Sequence, residues 1–148
     1  MKYKWQLGHG QTIDISEKAI IMGILNMTPD SFSDGNTYHS VKEAVAAACK
    51  MTSQGAHIID IGGESTRPGA ESIDAATEQA RILPVIKELD RIGGILISVD
   101  TYRAETALLA VEAGAHIIND IWGLQKKHGI TDTKKKHGRD CRSTTVFR

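Results

Sequence analysis

A chain of 148 residues, 41% hydrophobic and 24% charged, suffices for one globular domain with a real core. Its formal net charge of zero hides an asymmetry: residues 1–125 hold 10 Lys+Arg against 16 Asp+Glu, and residues 126–148 hold 8 against 2. Cys49 and Cys141 lack metal-ligand spacing, MKYKWQLGHG has no apolar signal core and no run approaches a membrane span; these features count against a disulfide or zinc scaffold, secretion and membrane insertion, and a cytoplasmic location is the expectation.

Tyr3–Leu7 and Thr12–Ile15 alternate at period two around Gly8-His9-Gly10-Gln11, which predicts a hairpin lying over one end of the core. Ile20 to Leu25 is an unbroken apolar run of the kind buried on both faces in a parallel strand. It stops at Asn26 and opens into a polar stretch, Met27 to Gly35, holding Thr28, Asp30, Ser31, Ser33 and Asp34 around the ring of Phe32. Long polar loops on rigid scaffolds carry chemistry, and these oxygens suit a metal or a developing positive charge.

Ser40-Val41-Lys42-Glu43 fits a capping box, and Val41, Ala44, Val45, Ala48 and Cys49 form one apolar stripe of a helix stopped by Gly55. His57–Ile61 is the second strand. It feeds a second polar loop, Gly62-Gly63-Glu64-Ser65-Thr66-Arg67-Pro68-Gly69-Ala70, in which Arg67 is the candidate anion clamp. Helical material from Asp74 to Ile92 carries Pro84, so a kink or two pieces are expected. Ile95–Val99 is the third strand, ending in Asp100; Thr101–Ala113 is the third helix, with Ala104, Ala107, Leu108 and Val111 on one face; Ile117–Ile121 is the fourth strand. The segment Gly55-Ala56-His57-Ile58-Ile59-Asp60 echoes itself as Gly114-Ala115-His116-Ile117-Ile118-Asn119. Strands alternating with helices imply a parallel α/β sheet with right-handed crossovers.

Polar residues thus gather at one end of every strand: Asn26, Asp60, Asp100, Asn119 and Asp120. That is the edge where barrels and open α/β sheets bind ligands. Buried carboxylates and amides need partners, and the donor and acceptor edges of a nitrogen-rich heterocycle supply them. Gly62-Gly63 fits neither the dinucleotide nor the P-loop fingerprint. His57 and His116 fall at the opposite strand ends, in core or rim roles, and Trp122 is expected to pack.

Three segments together resemble bacterial dihydropteroate synthase: Met22 to Gly35, MGILNMTPDSFSDG; Asp60 to Gly69, DIGGESTRPG; and Ser98-Val99-Asp100-Thr101 with Asn119-Asp120. Met27 and Asn36 depart from the usual Val and second Gly of that family. The resemblance covers residues 1–125. It implies a TIM (β/α)₈ barrel that joins 6-hydroxymethyl-7,8-dihydropterin diphosphate to p-aminobenzoate, releasing pyrophosphate and forming 7,8-dihydropteroate for folate synthesis. It also implies that Asp100 and Asn119 hydrogen-bond the pterin and that Asn26 meets Mg²⁺ and the diphosphate. Asp34, Thr66, Arg67 and Pro68, with Phe32, would close over the site, with Asp34 and Arg67 in the catalytic roles. Further implications are sulfonamide competition and a homodimer for the full-length family.

A barrel of this kind takes roughly 250 residues. Four strands are present before the pattern fails, so an incomplete barrel with an N-terminal hairpin is expected over 1–125. The family's later ligand-binding residues have no counterpart. Residues 126–148, with Lys134-Lys135-Lys136, show neither stripe nor alternation and read as a basic, disordered tail, without the aromatic interleaving of a nucleic-acid partner. The competing functions are a non-catalytic pterin-binding fragment and a pterin-dependent methyltransferase domain. Ser65-Thr66-Arg67-Pro68 counts against the latter.

Overall fold

The computed structural model of the chain describes residues 3–28, 40–65 and 69–122. An antiparallel hairpin of β1 (Lys4–Gln6) and β2 (Thr12–Asp14) opens it, turning through a single 3₁₀ turn at Gly8–Gly10. Four strands then pair in parallel and in sequence order: β3 (Met22–Asn26), β4 (Ile58–Gly62), β5 (Leu96–Asp100) and β6 (Ile117–Asn119). Helices α1 (Val41–Ser53), α2 (Ala75–Ile92) and α3 (Ala104–Glu112) alternate with them. This is an incomplete (β/α)₈ barrel with an N-terminal hairpin, as the alternation of apolar runs and helical stripes anticipates. Among the described residues no helix is long and apolar enough to cross a membrane.

Alternation along the strands divides the apolar residues into two sets. Leu25, Ile59, Ile61, Ile97, Val99 and Ile118 face the helices and pack on Ala44, Ala48, Ile82, Val85, Ile86, Leu89 and Ala107. Ile58 and Ile117, on the opposite face, are capped by Leu7, with Trp5 and Ile13 of the hairpin beside them. The hairpin therefore plugs the N-terminal end of the barrel interior and leaves the C-terminal end to the polar strand ends.

Local signals explain the helix boundaries. Ser40 accepts the Glu43 backbone N–H at 3.2 Å and Asp74 accepts that of Thr77 at 2.7 Å, each satisfying a donor the helix leaves free. Several expectations need correcting. The first strand runs from Met22 to Asn26 and is not buried on both faces, with Ile24 65% exposed, and the fourth ends at Asn119, short of Ile121. The second helix runs unbroken from Ala75 to Ile92 despite Pro84. Pro84 lies on the solvent side while Ile82, Val85, Ile86 and Leu89 are fully buried, so packing pins the turns on both sides of it. The third helix begins at Ala104, not Thr101; Ala107 is buried and Ala104 and Val111 pack against the core as expected, but Thr106 and Ala110 are buried too and Leu108 is only half-buried. Thr106 turns inward because its hydroxyl donates to Glu78 at 2.7 Å. Trp122, expected to pack, is 52% exposed.

The repeated Gly-Ala-His segment builds the same device twice. The His57 backbone N–H donates to Ile21 O at 2.8 Å while its Nδ1 accepts the Ile21 N–H at 3.1 Å. His116 repeats both bonds with Ile97, at 2.9 and 3.1 Å. Each glycine ahead of the pair has positive φ, +107° at Gly55 and +116° at Gly114. At Gly114 a Cβ would stand 2.5 Å from Asp90 Cγ and 2.7 Å from Asp90 Cβ. Gly114→Ala should therefore destabilise the fold by about 2 kcal/mol or more, read as a lowered thermal midpoint, whereas Gly55→Ala, with open space around it, should lose less.

Candidate functional site

Register decides what meets at the open end. Asn26 pairs with Gly62, Gly62 with Asp100, and Asp100 with Asn119, so the four positions form one row across the sheet. Being in register, all four share a face, the barrel interior. One pleat below lies a second row, Ile24, Asp60, Ser98 and Ile117. The rows touch: Asn119 Nδ2 donates to Asp60 Oδ2 at 3.1 Å. Gly62 leaves the middle of the upper row without a side chain. A Cβ there would come within 3.5 Å of Asn26 Oδ1 and 3.8 Å of Asp100 Cβ, so a recess opens between those two groups.

Of the expected site residues, Asn26, Asp100 and Asn119 are thus brought together on one rim. Asp34 and Phe32, and Thr66, Arg67 and Pro68, lie outside the described residues. Asp120 belongs elsewhere: following Asn119, it turns to the other side of the strand and accepts the Trp122 N–H at 2.9 Å. Below the rim, a cleft of about 570 Å³ runs between Trp5 and Ile15 of the hairpin side and Met22 and Ile58 of the strands, with Asn119 at its border. It is apolar apart from Lys4 and Asn119, and large enough for a flat bicyclic ring.

The charges here are not at rest. Burial, then the neighbouring carboxylates of Asp60, Glu78, Asp120 and Glu64, push Asp100 up to about 7. Burial also raises Asp60, and Ser98 and Asn119 offset part of that. The Ser98 hydroxyl eases the Asp60 charge by proximity without reaching hydrogen-bond geometry, so Asp60 Oδ1 and Ser98 Oγ are both buried with no partner. A donor-rich ligand edge at Asp100 would relieve the clustering of negative charge.

The sequence reading passed over the network that holds the second polar loop. Arg103, at the N-terminus of α3, donates to Glu64 and to Ile73 O, and its guanidinium stands 3.3 Å from Glu78 Oε2. Arg81 donates to Gly63 O at 2.8 Å. Burial works against the Glu64 charge, but the Arg103 hydrogen bond and charge, with Ser72 and the Ile73 N–H, hold its carboxyl below the usual range. Both ends of the segment that carries Thr66, Arg67 and Pro68 are thereby anchored. The available signal was Glu78, which sits on the stripe of Ile82, Val85 and Leu89: a buried carboxylate demands a cation, and Arg103 is three residues past Asp100.

For a divalent cation the row offers the Asn26 and Asn119 amide oxygens and the Asp100 carboxylate, and among the described residues no three His, Cys, Asp or Glu converge on a metal position. This fits Mg²⁺, which keeps most of its waters and takes further ligands from substrate phosphates, and would not fit zinc.

A family model described as pterin binding enzyme matches residues 22–141. The chain is 51% identical over 125 residues to the dihydropteroate synthase of Bacillus subtilis, a match covering 84% of this chain and 44% of the relative. Against a mitochondrial folate synthesis bifunctional protein of Pisum sativum it is 54% identical over 112 residues, 74% of this chain and 22% of that protein. Among solved structures, the Yersinia pestis dihydropteroate synthase with a sulfonamide drug complex superposes with a TM-score of 0.79 at 44% identity, covering 85% of this chain and 45% of that one. The Xanthomonas albilineans dihydropteroate synthase with 4-aminobenzoic acid gives 0.75 at 42% identity, over 85% and 46%. The chain thus spans less than half the length of these relatives.

The raised Asp100 has a signed consequence. Its ordinary value is 3.8 and its folded value about 7, so between those pH values the folded state binds the extra proton and stability falls as pH rises. Asp100→Asn should therefore raise the thermal midpoint at pH 8, with roughly a third of that gain left at pH 5. Thermal unfolding of both proteins at the two pH values checks this; a gain independent of pH contradicts the assignment.

Proposed function

The chain belongs to the pterin-binding enzyme family, and from that premise we propose that it carries the pterin-recognising part of a dihydropteroate synthase. The reaction joins the methylene carbon of 6-hydroxymethyl-7,8-dihydropterin diphosphate to the amine of p-aminobenzoate. The C–O bond breaks with its electron pair leaving on pyrophosphate, a C–N bond forms, and the amine gives up a proton.

The observation that carries this reading is the in-register row of Asn26, Asp100 and Asn119 around the recess at Gly62. Asp100 as a carboxylate accepts N–H groups from the pterin edge, and Asn119 offers both a donor and an acceptor. Asn26 would meet the diphosphate and a Mg²⁺ held with it, which would supply positive charge to the leaving group when bound. Arg67 joins it at the diphosphate. Asp34 stabilises positive charge on the pterin, and Phe32, Thr66 and Pro68 close over aminobenzoate and exclude water. The Arg103–Glu64 anchor supports this assignment by fixing where the second loop starts. The same reading puts the protein in the cytoplasm, takes the full-length family as homodimers, and divides the chain into residues 1–125 as the barrel unit and 126–148 as a basic tail.

Exchanging residues 20–122 into the Bacillus subtilis relative, in place of its equivalent segment, tests the proposal without depending on the length of this chain. Aminobenzoate-dependent pyrophosphate release should persist. Asp100→Ala in the exchanged segment should lower kcat/KM on the order of tenfold to a hundredfold, the worth of a hydrogen bond to a charged group. A folded chimera without pyrophosphate release, or one indifferent to Asp100→Ala, overturns the reading.

A further inference from the structure

Asp60 has no role in the site as described above, and its surroundings are unusual for a residue that only fills space. It is 6% exposed, on the interior face of β4, level with Ile24, Ser98 and Ile117. At that level an aliphatic side chain would pack without any polar debt, as Ile117 does at 1% exposure. Asp60 instead keeps one oxygen without a partner and commits the other to Asn119 Nδ2. Oδ1 is buried, and Oδ2 is the oxygen that meets the rim through Asn119.

What it does touch is a rim residue whose orientation is ambiguous. A side-chain amide can turn over, exchanging its carbonyl for its NH₂, and the two arrangements present opposite hydrogen-bonding to a ligand. An ionised carboxylate only accepts, so Asp60 selects the arrangement with Asn119 nitrogen downward. The Asn119 carbonyl is then left for the rim, beside Asp100 in the same row. The result is a pair of acceptors aimed at one ligand edge.

We propose that Asp60 is a positioning residue: it holds Asn119 by its amide nitrogen so that the Asn119 carbonyl meets an N–H of a flat, nitrogen-rich heterocycle bound at the Gly62 recess. This rests on the pterin-recognition reading for the identity of that heterocycle, and goes beyond it in assigning ligand selectivity to a residue one pleat below the rim. Ser98, buried beside Asp60 without a bond of its own, leaves Asn119 as the carboxylate's only close hydrogen-bond partner among the described residues.

The test is a double-mutant cycle on the intact chain with pteroic acid as the probe, followed by calorimetry. Asp60→Ala should weaken binding about tenfold, and Asn119→Ala at least as much. The double variant should bind within about twofold of Asn119→Ala alone, because a residue acting through Asn119 has nothing to act on once that amide is gone. Asp60→Asn, whose amide oxygen still accepts, should stay within about threefold of the unsubstituted chain. Losses that multiply in the double variant, or an unchanged affinity in Asp60→Ala, overturn the proposal; if Asp60→Ala does not fold, a tenfold loss in Asp60→Asn does so instead. A ligand-free readout separates this from the reading beneath it. The Asn119 side-chain ¹H–¹⁵N pair should shift in Asp60→Ala and hold in Asp60→Asn. That response in a chain that does not bind pteroic acid supports the Asp60–Asn119 coupling while overturning pterin recognition; no response overturns the coupling itself.

Discussion

The in-step pairing of four parallel strands is the constraint on which the site depends. Asn26, Gly62, Asp100 and Asn119 are separated by dozens of residues, yet each falls on the same rung. Side-chain direction alternates along a strand, so a slip of one residue anywhere would send one of the four into the helix layer. The apolar set guards against that slip. Leu25, Ile61 and Val99, next to the rung, are fully buried under the helices and could not be turned outward without loss of the core. Recognition chemistry and core packing are two faces of one pattern.

Crowding of negative charge is the other theme. Asp60, Glu64, Glu78, Asp100 and Asp120 lie close enough for their fields to add at Asp100. Arg103 answers Glu64 and Glu78 from the loop side, and Thr106 gives Glu78 a further hydrogen bond. Asp60 and Asp100 receive no such cation among the described contacts and share the barrel interior instead. The apolar cleft meets the polar rows only at Asn119, and a cluster of acids with no cation beside it is poor at holding anions. The cation at the loop thus fixes backbone and neutralises Glu64 and Glu78, while the acids of the barrel interior stay uncompensated.

Much of this was legible in the residues. The capping Ser40, the stripes of α1 and α2 and the strand-end polars are local signals, and local signals survive folding when packing agrees with them. Pro84 misled because its ring can sit on the solvent side of a helix that buried neighbours hold straight. The third helix misled because Thr106 looks like surface until Glu78 is known to be its partner, a contact between helices that no period reveals. Asp60 and Asp100 look alike in the sequence, each closing an apolar run. Only the register separates the acid at the rim from the acid one pleat beneath it.

The paired histidines limit the chemistry in a way that their position alone does not. Each ring already takes a backbone hydrogen on Nδ1, so the imidazole must carry its own proton on Nε2. At His116, burial and then the nearby His9 hold the ring neutral by lowering its pKa. His57 and His116 are thus spoken for as acceptors that stitch the lower ends of neighbouring strands together. Of the two imidazoles that the repeated segment plants in this sheet, neither has a lone pair left to bind a metal while it holds its neighbouring strand.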